Sequence, residues 1–212
     1  MAAESLLDSY DSERVFAADE NILNSTRSTD FITPKSEASR AVRDATLELA
    51  RDCAFARRLV NSGRLSIPTV YTASPLNTPD EEAFAGAMVP GAPAVDAPLS
   101  VGAKDAWLLG QIGSNFTLLI FDDPAACVEA RKTMGMINGV TMHVVGIVSI
   151  NGGLAGDLVD REQLVARRYD LREGSVYLIR PDQHVAARWR TFDFGRIRTA
   201  VARALAKSGP PA

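Results

Sequence analysis

The sequence predicts an α/β protein in which an N-terminal helical segment precedes a domain built on a mixed β-sheet. Three observations support this class. The first sixty residues contain helical periodicity, six prolines are spread over residues 68–98, and two apolar runs, residues 116–121 and 142–150, are separated by helix-forming sequence. A composition of 46% hydrophobic and 23% charged residues is typical of a packed chain and argues against wholesale disorder.

The first helix is predicted to begin at Ser5, where Asp8 completes a weak capping-box pattern, and to continue to about residue 28. Its apolar residues form only a diffuse face, so we expect this helix to pack against something larger than itself. The proline at 34 should end it. Ser36 can then cap a second helix, and helical sequence continues until the Asn61-Ser-Gly63 stop signal.

Residues 67–90 read as a proline-rich connector, because prolines at this density exclude regular helix and central strand. The connector is either an ordered loop draped over the protein or an interdomain linker. We therefore divide the chain into a helical segment (1–66), the connector (67–90) and a sheet domain (91–207), with the boundary near Gly91.

The sheet domain is predicted to start with a buried strand (116–121), a helix (125–134) and a second buried strand (142–150) that pairs in parallel with the first. A glycine-rich loop and a short helix (161–169) follow. Residues 175–190 form a hairpin around the turn-forming Pro181-Asp182, and a final helix covers 194–206. The order β-α-β-α-β-β-α is that of the thioredoxin fold.

The net charge of −3 gives no general attraction for nucleic acid or anionic membranes, and we expect neither as a partner. The sequence has no apolar run long enough to span a bilayer and lacks the features of a signal peptide, which favours the cytoplasm. Two distant cysteines predict no disulfide framework and no zinc site.

Cys127 lies where a thioredoxin carries its redox pair, near the start of a helix. The second cysteine is missing, and Asp122, Asp123 and Glu129 would oppose thiolate formation. A buried or half-buried structural cysteine is the favoured interpretation, and Cys53 has still less support for a redox role.

The other patterns also favour structural interpretations. The glycines of Asn151-Gly-Gly-Leu-Ala-Gly156 lack dinucleotide-binding spacing and predict a turn. We expect His143 to be a hydrogen-bonded structural imidazole and His184 to be exposed. No nucleophile-elbow motif occurs. No catalytic, cofactor-binding or metal-binding residue is therefore assigned.

Charged clusters give the remaining candidates. Asp122-Asp123 and Asp80-Glu81-Glu82 could perform acid-base chemistry, but adjacent loop acids are usually solvated. Arg188 and Arg190 should project from one face of the hairpin, with Trp189 on the other face against the core.

The hairpin segment 175–190, with Leu6-Leu-Asp-Ser-Tyr-Asp-Ser-Glu-Arg14 upstream, resembles the C-terminal part of FAD-dependent aromatic-ring monooxygenases of the phenol hydroxylase and hydroxyphenylpropionate hydroxylase type. The resemblance covers nearly the whole chain. It implies that residues 1–66 correspond to helices that follow the second flavin motif, and that residues from about 90 form a thioredoxin-like domain without redox cysteines. Both flavin motifs are absent, so we expect no cofactor to be bound by this chain alone.

For the complete enzyme, the resemblance implies FAD, NAD(P)H and oxygen-dependent ring hydroxylation. The first hypothesis is a C-terminal fragment or subunit, present as a truncated product, a split-gene partner or a decayed copy. It would be inactive alone and would brace a flavin-binding domain or a homo-oligomer interface. The alternatives are an autonomous protein- or ligand-binding module with a degenerate thioredoxin fold, and a thiol-dependent reductase centred on Cys127.

Overall fold

A computed structural model describes residues 4–60, 67–149 and 158–207. It confirms the predicted class, an α/β protein with an N-terminal helical part and a mixed sheet. The chain forms two compact units, residues 10–69 and residues 1–9 with 70–212. We call them the helical unit and the sheet unit.

The helical unit contains most of α1 (Glu4–Ile32), followed by α2 (Glu37–Asp52) and α3 (Ala54–Val60). Helix α1 extends past the predicted residue 28, and the Thr33 amide still bonds to the Thr29 carbonyl before the proline at 34 ends the helix. The predicted cap of α2 is confirmed, because the Ser36 hydroxyl accepts a hydrogen bond of 3.1 Å from the Ser39 amide. The predicted stop at residues 61–63 lies outside the described residues.

The helical unit lacks an apolar core among its described residues. Its only buried side chains there belong to Glu13 and Ala56. The face predicted for α2 exists, but Val42 is 65% exposed and Leu49 is 49% exposed. The sequence pattern therefore forms amphipathic helices whose apolar sides stay in contact with water.

In the part of the chain that the structure describes, the sheet unit contains eight strands, which are β1 (Pro98–Val101), β2 (Lys104–Trp107), β3 (Phe116–Phe121), β4 (Met136–Ile137), β5 (Val140–Val148), β6 (Leu158–Val159), β7 (Val176–Ile179) and β8 (Val185–Trp189). Its helices are α4 (Pro124–Thr133), α5 (Leu164–Tyr169) and α6 (Phe194–Ala204), with a short 3-10 helix at Leu109–Gln111. The strand order is β2-β1-β6-β5-β3-β7-β8, with β4 paired to β5 outside this path.

The predicted parallel pair is confirmed, since β3 and β5 align from Phe116 opposite Met142 to Phe121 opposite Ile147. Strand β7 runs antiparallel to β3 and forms the predicted hairpin with β8. From β3 to α6 the principal elements thus follow the predicted order, with the short strands β4 and β6 added.

Alternation along β3 divides the core between the two faces of the sheet. Leu118 and Ile120 belong to the cluster that includes α4 and α6, together with Trp189 of the hairpin. Leu119 and Phe121 belong to the opposite cluster, which includes Tyr169 of α5 and Met88 of the connector. The hairpin therefore presents Trp189 to one face, as predicted.

Residues 78–93, which include the end of the connector, run along β8 within the sheet unit. Backbone amides of Thr78 and Gly91 donate to the carbonyls of Ala186 and Val185 on β8. The Val185 amide donates in turn to Ala92, and Pro93 forms an isolated antiparallel bridge with His184. These contacts cover the outer edge of β8, which would otherwise expose unpaired backbone groups.

None of the helices among the described residues combines the length and apolarity that a membrane span requires.

Candidate functional site

The junction between β3 and α4 is the first candidate site, and its acids bind backbone amides. Asp123 caps α4 by accepting a hydrogen bond of 2.9 Å from the Ala126 amide. Asp122 adopts a left-handed backbone with φ of 49°, and its Oδ1 accepts from the Ser149 amide at 2.7 Å. These bonds give both carboxylates a structural role in joining β3, α4 and the end of β5.

Cys127 lies on the first turns of α4 and is buried, with 7% of its surface exposed. Its Sγ packs against Gly146 of β5, so closely that a Cβ added at 146 would lie 2.9 Å from the sulfur. The adjoining cleft has a volume of about 80 Å³ and is lined by Asp123, Arg131 and Val148 among others. Because ligand pockets typically measure about 300–1,000 Å³, this cleft does not resemble a substrate site.

The burial predicted for Cys127 is confirmed, and Cys53 is half-buried. Neither cysteine forms a disulfide. No group of three or more His, Cys, Asp or Glu residues with metal-binding geometry occurs within residues 4–60, 67–149 and 158–207. The glycine-rich segment 151–156 lies outside the described residues, so its predicted turn stays a prediction.

The two histidines differ from expectation. His143 is exposed on β5 rather than built into the interior, because it lies on an outward-facing register of that strand. His184 is half-buried rather than exposed. Its Nδ1 lies 3.1 Å from the Asp182 carbonyl oxygen, and its ring centroid lies 4.8 Å from that of Tyr71 in the connector. The connector therefore covers a histidine that the hairpin alone would expose.

Asp182 is held in its ionised form at the same turn. Burial would raise the pKa of this carboxyl, but hydrogen bonds from His184 and Arg180 more than offset burial and lower the pKa. The Arg180 guanidinium contacts both carboxylate oxygens, at 3.1 and 2.6 Å. The pair closes the turn of the hairpin.

A cluster of charged residues joins the connector to β8, and sequence reasoning missed it. The Arg188 guanidinium, with only 2% of its side chain exposed, contacts both oxygens of Asp80 at 2.9 and 2.6 Å. Its third bond goes to the Met88 carbonyl at 3.0 Å. Asp80 and Glu81 are exposed, as expected for loop acids, but all three acids of residues 80–82 are also bonded to the sheet or to α6.

Glu81 pairs with Arg196 of α6, and Glu82 accepts a hydrogen bond of 2.8 Å from the Arg190 backbone amide. The Arg190 guanidinium lies 3.6 Å above the centre of the Phe84 ring, and Arg188 lies 4.5 Å from the same centre. Phe84 thus contacts two cations, an arrangement that stabilises both the ring and the arginines.

Asp170, the residue that ends α5, completes the cluster. Its Oδ2 accepts a hydrogen bond of 2.8 Å from the Ala85 amide and another from Arg190. The Ala85 bond and, next, the Arg190 bond lower the pKa of this carboxyl. One carboxylate therefore links α5, the connector and β8.

The sequence predicted where the arginines of the hairpin lie but not which acids they contact. The two-residue spacing of Arg188 and Arg190 correctly placed both on the face opposite Trp189. The acids of the connector, Asp80 and Glu82, lie 108 positions earlier in the chain, and Asp170 lies 20 positions before Arg190, so no local pattern pairs these residues. The cluster contains bonded guanidinium and carboxylate groups but no nucleophile held against a base, so its arrangement is that of a structural clamp.

No protein-family model matches the sequence. No curated protein matches it by sequence either.

Solved structures do match the fold. The flavin-dependent monooxygenase PieE, in complex with FAD and substrate, shares 21% identity at a TM-score of 0.60, over 98% of this chain and 41% of its own. Aklavinone-11 hydroxylase, with FAD and aklavinone, shares 20% identity at a TM-score of 0.62, over 97% of this chain and 36% of its own. The rebeccamycin biosynthetic enzyme RebC, with reduced flavin, shares 19% identity at a TM-score of 0.65, over 98% of this chain and 37% of its own.

At these identities the likeness establishes a shared fold. The chain spans about two fifths of the length of these flavoenzymes. Nearly all of it aligns, so the helical unit and the sheet unit both have counterparts in these larger proteins.

Proposed function

We propose that this chain is the C-terminal part of an FAD-dependent aromatic monooxygenase, of the phenol hydroxylase type, and that it braces the flavin-binding part rather than binding the flavin alone. The observation that carries the proposal is the match of 97–98% of the chain to only 36–41% of three flavin enzymes. In this assignment the domain from β3 to α6 is a thioredoxin-like domain without a redox pair.

The helical unit supports a bracing role. Its helices carry exposed apolar side chains and no apolar core among the described residues. Large exposed apolar surfaces mark contact sites for other protein surfaces. We assign this surface to contact with the flavin-binding part of the complete enzyme.

Catalysis in such an enzyme would come from FAD and NAD(P)H bound by the flavin-binding part. The role of the present chain would be to support that part, and it would be inactive by itself. Cys127 would have no redox function, since it is buried against Gly146 and lacks a second thiol beside it in the sequence.

The test is the absorbance of the purified chain between about 300 and 550 nm, alone and after co-expression with proteins encoded beside it. We expect flavin absorbance only in a co-purifying complex. A flavin spectrum from the chain alone would contradict the proposal. A colourless, monomeric chain that binds none of these proteins would favour an autonomous binding module.

A matched pair of variants makes the co-expression test specific to the helical unit. Val42→Glu and Leu49→Glu place charge on the exposed face of α2, whereas Arg40→Glu changes charge on the same helix without altering an apolar side chain. We expect the first two variants to reduce the recovered complex at least ~10-fold and Arg40→Glu to have a smaller effect. Equal losses for all three variants would argue against an apolar contact.

A further inference from the structure

Residues 79–90 of the connector form a loop whose two ends are anchored side by side. The Thr78 amide bonds to Ala186 at 2.8 Å, and the Gly91 amide bonds to Val185 at 2.7 Å, so both anchors lie on adjacent residues of β8. A loop of this length with neighbouring ends is an Ω-loop, which can move while its ends stay fixed. We call residues 79–90 the lid.

The body of the lid is held by side chains. Across the described residues, no backbone–backbone hydrogen bond involves residues 79–88. Among the described residues, each hydrogen bond of this stretch involves a charged group instead. Asp80 and the Met88 carbonyl bind Arg188, the Ala83 carbonyl binds Arg190, and the Ala85 amide binds Asp170.

Few apolar side chains of the lid are buried. Only Met88 is buried, while Phe84 and Val89 are half-buried, and Glu81, Ala83 and Ala87 are exposed. Segments with few buried apolar contacts open with less free energy than the core. Charged contacts around Arg188 and Arg190 therefore add to a small apolar contribution in holding the lid closed.

The lid and the residues beneath it carry opposite charges. The lid contributes three acids, Asp80, Glu81 and Glu82. The residues beneath it contribute Arg188, Arg190 and Arg196, together with Asp170, which is paired with Arg190. Arg188 matters most, because its side chain is 2% exposed while that of Asp80 is 29% exposed. Loss of Asp80 would leave a buried cation without its carboxylate partner, which favours an open lid.

We infer that residues 79–90 are an electrostatically fastened lid, which opens as a unit about Thr78 and Gly91 while the sheet beneath it stays folded. Opening uncovers Arg188 and the buried Tyr177, whose ring meets Phe84 edge-on at 5.9 Å. The surface under the lid is cationic and aromatic, and the acidic lid covers it in the closed state.

Thiol labelling of the full chain measures opening directly. Met88→Cys places a thiol at the buried point of the lid, Cys53→Ser removes the half-buried thiol, and Cys127 remains as an internal reporter on α4. We expect the thiol at 88 to react with an aromatic disulfide reagent more slowly than a free peptide thiol but faster than Cys127. Adding Asp80→Asn should accelerate labelling at 88 at least ~10-fold without changing that of Cys127.

Asp182→Asn is the matched control, because it breaks another arginine–aspartate pair on the same hairpin, and the bonds of Asp182 go to Arg180 and His184. It should change labelling at 88 by less than ~2-fold. Raising NaCl from about 0.02 to 1 M, which needs no further substitution, should accelerate labelling at 88 by a few-fold.

Three results would overturn the inference. One is a labelling rate at 88 that is as slow as the rate at Cys127 in every variant and at every salt concentration, because the lid would then open only when the whole protein unfolds. Another is labelling at 88 at the rate of a free peptide thiol before Asp80 is changed. The third is equal acceleration by Asp80→Asn and Asp182→Asn.

Discussion

At the scale of single residues, close packing and charge determine which substitutions the fold tolerates. The backbone of Gly146 packs closely against Cys127 beside the small cleft, since a Cβ at 146 would lie 2.9 Å from the sulfur. Asp170, at the end of α5, accepts hydrogen bonds from both the connector and Arg190. Substitutions at both positions are expected to change the stability of the sheet unit.

Gly146→Ala is expected to destabilise the sheet unit by about 1–3 kcal/mol, because the new methyl group overlaps the Cys127 sulfur in a packed core. Cys127→Ala removes that sulfur. In the double variant the cost of Gly146→Ala should therefore fall by about 1 kcal/mol or more. Urea unfolding followed by tryptophan fluorescence measures this, since Trp107 and Trp189 both lie in the sheet unit. Additive costs would show that the overlap is relieved elsewhere.

Asp170 is expected to make stability depend on pH. The pKa of its carboxyl is lowered in the folded chain by the Ala85 amide and then by Arg190, so its contribution is present above the unfolded pKa of about 3.9. That contribution is lost as the pH falls through the folded pKa. Asp170→Asn should therefore reduce the free energy of unfolding at pH 7, and the difference from wild type should shrink below about pH 4.

Urea unfolding at several pH values checks the prediction for Asp170. Asp105→Asn, on the exposed surface of β2, provides the control and should change stability little. A difference between wild type and Asp170→Asn that is the same at pH 3 and pH 7 would show that charge at this site does not stabilise the fold.

At the scale of elements, helix caps and strand edges account for the local architecture. Asp123 and Asp193 cap α4 and α6 through their side chains, and Ser36 caps α2. The connector supplies the partner that the edge strand β8 requires. The pair Asp122-Asp123, which resembled an acid-base site in the sequence, is thus explained by capping and by a bond to β5.

Asp123→Ala should destabilise the sheet unit by about 0.5–2 kcal/mol, because the Ala126 amide at the start of α4 loses its acceptor. Asp123→Asn should stay within about 0.5 kcal/mol of wild type, since an asparagine oxygen also caps a helix. Thermal or urea unfolding distinguishes the two variants. A large loss for Asp123→Asn would mean that the negative charge, rather than the cap, is required.

At the scale of the whole molecule, stability is divided unequally between the two units. The sheet unit contains two apolar clusters, one on each face of its sheet. The described part of the helical unit buries only Glu13 and Ala56. Isolated helices depend on tertiary packing, so the helical unit should be the less stable of the two.

Hydrogen exchange followed by mass spectrometry should show this division. We expect amides of α2 and α3 to exchange at least ~100-fold faster than those of β3 and β5 in the chain alone. In a complex with a flavin-binding partner, the helical amides should slow towards the rates of the sheet. Protection of α2 equal to that of β3 in the isolated chain would contradict the assignment of its apolar face to a partner.

The sequence by itself determined the local elements. Apolar runs and periodicity defined β3, β5 and the hairpin, because these patterns report which side chains leave water. Cap residues defined the start of α2, and alternation correctly separated Trp189 from its two neighbouring arginines. The parallel pairing of β3 with β5 followed from these elements and from the preference for parallel crossovers.

Only the tertiary structure decided which distant groups meet. Asp80 pairs with Arg188, Glu81 pairs with Arg196, and the connector covers both β8 and His184. Contacts between residues about a hundred positions apart depend on how the chain folds back, and side-chain charge gives no directional signal in the sequence. Local propensity therefore specified the parts of this protein, while long-range packing specified the clamp and the lid.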